Sequence, residues 1–293
     1  MPDDLAATDL VSTDWLAGRL DRDDVRAVDA TVVLDLDTWA ANSGRRAYDA
    51  GHVPGAVFVD LIGELSDPAG DAGLPPGVRT YRLPSADRFA AAMERHGIGD
   101  GTAVVAYDTT NGMWAARLWW MLRLFGHERV AVLDGGWAAW QAEGRPVSTA
   151  APAPAPARFT ARLQRRLLAT KEEVEAAVRD GGGTCLVHAL TPALFRGEEQ
   201  AALPRPGRIP GSRNVPFAEL YDETGRMRPA AELRARFADV LADDPRRVVT
   251  YCGAGIAAAA DALALARLGV EAAVYDGSLV EWASDPSLPM EVG

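Results

Sequence analysis

The stretch Val248-Val249-Thr250-Tyr251-Cys252-Gly253-Ala254-Gly255-Ile256-Ala257 decides the reading of this chain. Its first four residues are β-branched or aromatic, as in a buried strand. Cys252 closes the strand, two glycines stand in the next three positions, and an alanine-rich run of high helix propensity continues to Gly269. Strand, tight loop and helix start therefore follow one another, with a thiol at the turn. Loop N–H groups and a helix N-terminus both favour negative charge. The thiolate is the nucleophilic form of cysteine, so the stretch presents Cys252 as a reactive centre. Gly253 and Gly255 are expected to turn the backbone N–H groups inward without Cβ clashes, making an anion nest around Sγ. The dinucleotide fingerprint G-x-G-x-x-G fails, because Ala258 occupies the third glycine position.

The same pattern occurs earlier without the thiol. Val104-Val105-Ala106-Tyr107-Asp108 aligns with Val248 to Cys252, an offset of 144 positions. Leu133-Asp134-Gly135-Gly136-Trp137 aligns with the segment from Tyr275-Asp276-Gly277-Ser278 onward, an offset of 142. Gly51-His52-Val53-Pro54-Gly55 echoes Gly207-Arg208-Ile209-Pro210-Gly211, an offset of 156. Long, steady offsets indicate a duplicated domain rather than a solenoid. Asp108 stands where the other copy has Cys252, so the duplication is functionally asymmetric.

Length and composition agree. A chain of 293 residues, 48% hydrophobic and 24% charged, suits two soluble globular domains. No apolar run reaches the roughly 18 residues of a membrane span, and the acidic Met1-Pro2-Asp3-Asp4 start lacks the basic-then-apolar pattern of a secretory signal. A cytoplasmic location is the expectation. The net charge of −11 argues against nucleic-acid binding. Against that background residues 200–217 hold Arg205, Arg208 and Arg213 and no acid, a local basic patch suited to a small anion. The two cysteines make no disulfide framework, and no Cys/His cluster has zinc spacing. Cys185, within Thr184-Cys185-Leu186-Val187, reads as a core residue.

The Ala-Pro run over 147–158 cannot form helix or central strand and is read as a linker. It separates an N-terminal domain, 8–146, from a C-terminal one, 159–293. In the first, Thr31–Asp35, Ala56–Val59, Ala103–Tyr107 and Val130–Leu133 read as strands, with helices over Ser85–His96 and Met113–Leu124. In the second, strands are expected over Cys185–Val187, Arg213–Val215, Val248–Tyr251 and Ala272–Tyr275, and helices over Thr170–Arg179, Ala230–Leu241 and Ile256–Leu268. Alternating strands and helices give an α/β fold in which each domain is a mainly parallel sheet flanked by helices. Ligands of such sheets sit at the carboxyl ends of strands, where Cys252 lies.

These motifs make the chain similar to the two-domain rhodanese and 3-mercaptopyruvate sulfurtransferase family. The likeness rests on Gly51 to Val59, Leu118 to Gly126, Leu133 to Trp137, Phe195-Arg196-Gly197, Ile209-Pro210-Gly211, Tyr251 to Ala257 and Tyr275 to Trp282. It implies two rhodanese-like domains, an inert N-terminal one and an active site facing the domain interface. It also implies a mechanism: Cys252 takes a sulfane sulfur from a small anionic donor such as 3-mercaptopyruvate or thiosulfate and becomes a persulfide. The loop Gly253, Ala254, Gly255, Ile256 and Ala257 holds the persulfide, and a thiol or cyanide removes the outer sulfur. No metal or organic cofactor is required. His52 matches a histidine that the family places near the site.

Several positions depart from the family. Ala254 and Ala257 replace a serine and a threonine of the mercaptopyruvate type, and Gly253 and Ala254 replace the Arg-Lys of the thiosulfate type. His188-Ala189-Leu190 stands for Asp-x-Arg, and Leu194 for a second substrate arginine. Arg196, Arg205 and Arg208 are therefore the expected donor-binding cations. A phosphatase of related fold would need an arginine where Ala258 stands. The stripped loop leaves an alternative to turnover, a degenerate scaffold that binds a persulfide or a partner.

Overall fold

The strands of the computed structural model, which describes residues 5, 8–34, 41–67, 69, 81–181, 183–200, 203–242 and 244–293, build the same sheet twice. They are β1 (Leu10–Val11), β2 (Val25–Asp29), β3 (Val32–Leu34), β4 (Ala41–Ser43), β5 (Val57–Phe58), β6 (Ala103–Tyr107), β7 (Val130–Leu133), β8 (Leu168–Ala169), β9 (Thr184–His188), β10 (Arg213–Asn214), β11 (Arg247–Tyr251) and β12 (Ala272–Tyr275). One sheet has the order β1-β7-β6-β2-β5 and the other β8-β12-β11-β9-β10, with every pairing parallel. The two orders correspond strand for strand. Each central strand, β6 and β11, is buried on both faces, which is why both read as continuous apolar runs.

One strand expectation needs correcting. Of Thr31–Asp35, residues 32–34 form β3, which pairs antiparallel with β4 outside the main sheet, and Asp35 lies outside the described residues. The sheet strand is β2, whose Val25-Arg26-Ala27-Val28-Asp29 carries charges at both outer positions of its apolar core. The two-residue edge strands β1 and β8 are too short to leave a periodic signal.

Eleven α-helices lie among the described residues: α1 (Thr13–Ala17), α2 (Arg45–Ala50), α3 (Ala86–Arg95), α4 (Met113–Leu124), α5 (Gly136–Ala142), α6 (Lys171–Asp180), α7 (Pro192–Arg196), α8 (Ala230–Arg236), α9 (Ala238–Leu241), α10 (Ala257–Arg267) and α11 (Ser278–Ser284). Ser85 caps α3 by accepting the Arg88 N–H, and Thr170 with Glu173 makes a reciprocal capping box on α6. The single helix expected over Ala230–Leu241 is two, because buried Phe237 leaves helical geometry between them.

The copies meet through α4 and α10, whose buried residues share one core. Helix α4 offers large side chains, Trp114, Leu118, Trp119 and Trp120, whereas α10 offers Ala257 to Ala260, Ala262 and Ala264. Large against small lets two helices approach closely and fill the space between them. A helix apolar on all sides must be buried on all sides, and α10 lies between its own sheet and the other domain. Trp120 Nε1 also reaches out of its domain to donate to the Leu167 carbonyl at 2.9 Å.

Asp261 interrupts this packing. It is fully buried on α10, and neither carboxylate oxygen has a hydrogen-bond partner. Burial alone raises its pKa well above the ordinary carboxylate range. The native state therefore keeps this proton to a higher pH than the unfolded chain does, so the group lowers stability as pH rises from the unfolded value near 3.9. Asp261→Leu is expected to stabilise the protein by about 1–3 kcal/mol near neutral pH, the cost of a buried unsatisfied group, and by less at pH 4. Chemical denaturation at both pH values checks this; an equal gain at both, or a loss at neutral pH, contradicts it.

Candidate active site

Strand β11 delivers Cys252 to the carboxyl edge of the second sheet. The thiol is 2% exposed and belongs to the core shared by the two domains. Its backbone is pinned on both sides. The Cys252 N–H donates to Ser278 Oγ at 3.1 Å, and that hydroxyl donates to the Tyr275 carbonyl at 2.8 Å. The Cys252 and Gly253 carbonyls accept from Leu279 and Val280 N–H at the start of α11. Buried Ser278 adopts φ +47°, a conformation uncommon for a residue with a Cβ. The N-terminal copy meets the same need with Gly136 at φ +52°.

The loop is five residues long, as is the one after β6, and the two glycines of the C-terminal loop play different parts. Gly255 has φ +77°, and a Cβ there would lie 2.6 Å from the Asp276 carbonyl oxygen, so glycine is required. Gly253 is not left-handed. A Cβ there would meet Leu190 and Leu203 at an ordinary 3.9 Å. The expectation that both glycines are needed thus holds for Gly255 alone.

Asp108 shows what such a loop binds. Its carboxylate accepts from the N–H groups of Thr110, Gly112, Trp114 and Ala115 and from the Thr110 hydroxyl, at 2.9–3.1 Å. The N-terminal copy is an anion nest filled by its own side chain. In the C-terminal copy the turn differs by one residue, since the left-handed glycine is Gly255 rather than a counterpart of Gly112. Its amides at Ala254, Ile256 and Ala258 have no acceptor among the described residues.

Arg117 is the residue that sequence reasoning missed. It projects from α4 of the N-terminal domain and is 1% exposed. Its Nη1 donates to the Gly255 carbonyl at 3.2 Å, and its Nη2 donates to the Tyr81 carbonyl at 2.9 Å and to Asp276 Oδ1 at 2.6 Å. Its guanidinium carbon lies 4.6 Å from the centroid of the Trp120 ring. The Leu83 N–H donates to the other oxygen of Asp276 at 3.0 Å, and Arg82 pairs with Glu281. The N-terminal domain therefore holds the Cys252 loop from beneath. Asp276 is the counter-charge of this junction. The signal lay in Arg117 itself, a cation in the middle of a largely apolar helix whose other arginine, Arg123, stands in the last turn.

The expected donor-binding residues are placed in other work. Arg205 donates to the carbonyls of Trp282, Ala283, Asp285 and Leu288, satisfying the open C-terminal end of α11. Arg208 stacks on Phe195, donates to the Phe195 and Gly293 carbonyls and pairs with Glu291. Buried carbonyls at a chain turn need donors, and an arginine supplies up to five. His52 is its N-terminal counterpart. Its ring is fully buried and stacked on Tyr48 at 3.9 Å, with Nδ1 on the Tyr48 carbonyl and Nε2 on that of Ala150. Backbone bridges His52↔Ser148 and Arg208↔Glu291 tie both Gly-x-x-Pro-Gly loops to the segment after the last helix of their own copy. Arg196 is exposed and pairs with Glu198 at 2.7 Å. Of the basic stretch over 200–217, residues 201 and 202 lie outside the described residues.

His188 replaces a carboxylate at the end of β9. Burial first, and the charge of Arg208 second, depress its pKa to about 3, so the ring is neutral at working pH. Its Nδ1 accepts the Leu190 N–H at 3.3 Å. Among the described residues no cluster of three or more His, Cys, Asp or Glu could hold a metal ion, and no helix is long and apolar enough to cross a membrane.

Comparison with known proteins agrees with this geometry. The rhodanese-like domain matches residues 12–143 and again 171–285, and the chain belongs to the rhodanese family. Within that family it is a sulfurtransferase. It is 34% identical to human 3-mercaptopyruvate sulfurtransferase over 93% of this chain and 91% of that one. It is 35% identical to the putative thiosulfate sulfurtransferase SseB of Mycobacterium tuberculosis over 92% of this chain and 93% of that one. The crystal structure of SseA from Escherichia coli, a 3-mercaptopyruvate sulfurtransferase, superposes with a TM-score of 0.80 at 33% identity, over 92% of this chain and 98% of that one.

Proposed function

We propose that Cys252 accepts a sulfane sulfur from a small donor, 3-mercaptopyruvate or thiosulfate, carries it as a persulfide and passes it to cyanide or a thiol. The observation that carries this reading is the contrast between the two loops. In one copy four amides grip the Asp108 carboxylate; in the other, a loop of equal length has open amides beside a thiol. A persulfide anion at Cys252 extends the side chain by one heavy atom toward the charge-accepting position that a carboxylate fills in the inert copy. The site residues of this reading are Cys252 and the amides from Gly253 to Ala257, with Arg117 as a positioning residue. The domain limits go with it: 8–146, a linker over 147–158, and 159–293. A cytoplasmic setting suits a reactive thiol in a chain with no disulfide between its two cysteines.

Cyanide-dependent thiocyanate formation tests the reading. Both donors are expected to support turnover, with kcat/KM for 3-mercaptopyruvate at least equal to that for thiosulfate, because Gly253 and Ala254 offer no cation to a dianion. A kcat/KM for thiosulfate far above that for mercaptopyruvate contradicts the preference. Absence of activity with either donor would favour the scaffold reading instead. Ala254→Ser adds one hydroxyl to the loop and is expected to raise mercaptopyruvate turnover about 2- to 10-fold, the worth of one hydrogen bond. No gain would count against the mercaptopyruvate preference.

A further inference from the structure

We infer that this site prefers a sulfur donor whose single negative charge lies on the transferred sulfur and whose remainder is uncharged and apolar. The inference rests on the proposed sulfur transfer and concerns which donor feeds it. The loop amides supply a place for one anion, at the sulfur being moved. The walls beside that place are hydrocarbon. Leu190 Cδ1 and Leu203 Cδ2 each lie 3.9 Å from where a Cβ on Gly253 would sit. Leu190 packs against the core cluster that contains Cys252, and Leu203 against the one that Ala254 joins.

Among the described residues, the neighbouring cations are held by other groups. Arg117 touches the loop, but Asp276 neutralises it and two carbonyls take further donors. Arg205 has four carbonyls, and Arg208 has Glu291 and two carbonyls. The imidazole of His188, whose Nδ1 holds the Leu190 N–H, is uncharged. A second charge on the donor, such as a carboxylate or the extra oxyanion of thiosulfate, would be stripped of water against leucine without a partner, which is strongly unfavourable. An alkyl or aryl group there would instead gain from burial.

An arylthiosulfonate, ArSO2–S⁻, fits this description and differs from thiosulfate by an aryl group in place of one oxyanion. The Cys252 thiolate attacks the terminal sulfur and forms a new S–S bond. The bond between the terminal and sulfonyl sulfurs breaks, and its electron pair leaves with arylsulfinate, ArSO2⁻. The total charge is unchanged and no oxidant is used. Cyanide then removes the outer sulfur as thiocyanate and regenerates the thiolate.

The test compares toluenethiosulfonate with thiosulfate as donors to the full-length protein, each kcat/KM divided by the uncatalysed cyanolysis rate of the same donor. The normalised preference for the aryl donor is expected to be at least about tenfold. Leu190→Arg, or Leu190→Lys if the arginine variant does not fold, places a cation beside Gly253. Either is expected to shift the ratio toward thiosulfate by roughly tenfold, the worth of one charge-assisted contact. Mass analysis of Cys252 after each donor separates the two ideas. A persulfide from both donors with an equal or greater normalised rate for thiosulfate overturns the apolar preference alone. A ratio that the half-buried cation leaves unchanged does the same. No persulfide from either donor overturns the sulfur-transfer reading on which the inference stands.

Discussion

Cys252→Ala is expected to lower thiocyanate formation by roughly 10⁴-fold or more, to near the uncatalysed rate, because nothing else in the loop can form the covalent intermediate. Cys185→Ala is expected to keep most of the activity. Cys185 lies in β9, paired with Val248 at the opposite end of the strand ladder from the His188–Tyr251 pair that precedes Cys252. Cys185 is half-buried and packs against the core, and it is followed by the rest of β9 rather than by a glycine loop and a helix start. Initial rates with saturating donor, together with thermal unfolding of both variants, make the comparison. Equal loss of activity in the two, with folding intact, would contradict the assignment of the nucleophile.

Arg117 gives the second large effect. Arg117→Met leaves Asp276 buried without its counter-charge, and breaking a buried pair in this way costs about 3–5 kcal/mol of stability. It also releases the Gly255 carbonyl, and with it the loop whose amides must face the sulfur. A charged donor's hydrogen bond is worth about 1.5–3 kcal/mol, so kcat is expected to fall roughly 10- to 150-fold. The double variant Arg117→Met/Asp276→Asn separates the two consequences. Removing both charges should restore much of the stability but none of the hold on Gly255, so kcat stays low. Arg117→Lys keeps the charge as a single point and loses the fork that reaches Gly255, Tyr81 and Asp276 together, giving an intermediate rate. If the double variant recovered stability and rate in parallel, Arg117 would be a residue of stability alone.

The sequence showed the duplicated α/β scheme because its central strands and longest helices are strongly patterned. Ala103–Tyr107, Val130–Leu133, Ala272–Tyr275 and Met113–Leu124 lie where the residues indicate. Strand β2 was hidden because Arg26 breaks its apolar run, while the more hydrophobic Val32-Val33-Leu34 nearby belongs to a peripheral hairpin. Cys252, the proposed nucleophile, stands out in the sequence through a local pattern of strand, thiol, glycine and helix. The support beneath it was not, because Arg117 and Gly255 are 138 positions apart and meet only across the domain interface. Arg205 and Arg208, expected as donor ligands, are engaged elsewhere for a related reason. A cluster of cations in sequence suggests an anion site, but Arg205 and Arg208 answer to carbonyls at the end of α11 and near the C-terminus, needs that appear only once the chain has folded.

Whether Cys252 carries the transferred sulfur is tested most directly by the intact mass of the protein after brief exposure to mercaptopyruvate or thiosulfate and removal of excess donor. A gain of one sulfur atom is expected, located to the peptide containing Cys252, absent in Cys252→Ala and lost on addition of cyanide with release of one equivalent of thiocyanate. An unchanged mass in a protein that still produces thiocyanate, or a cyanide-labile sulfur on Cys185, would contradict it.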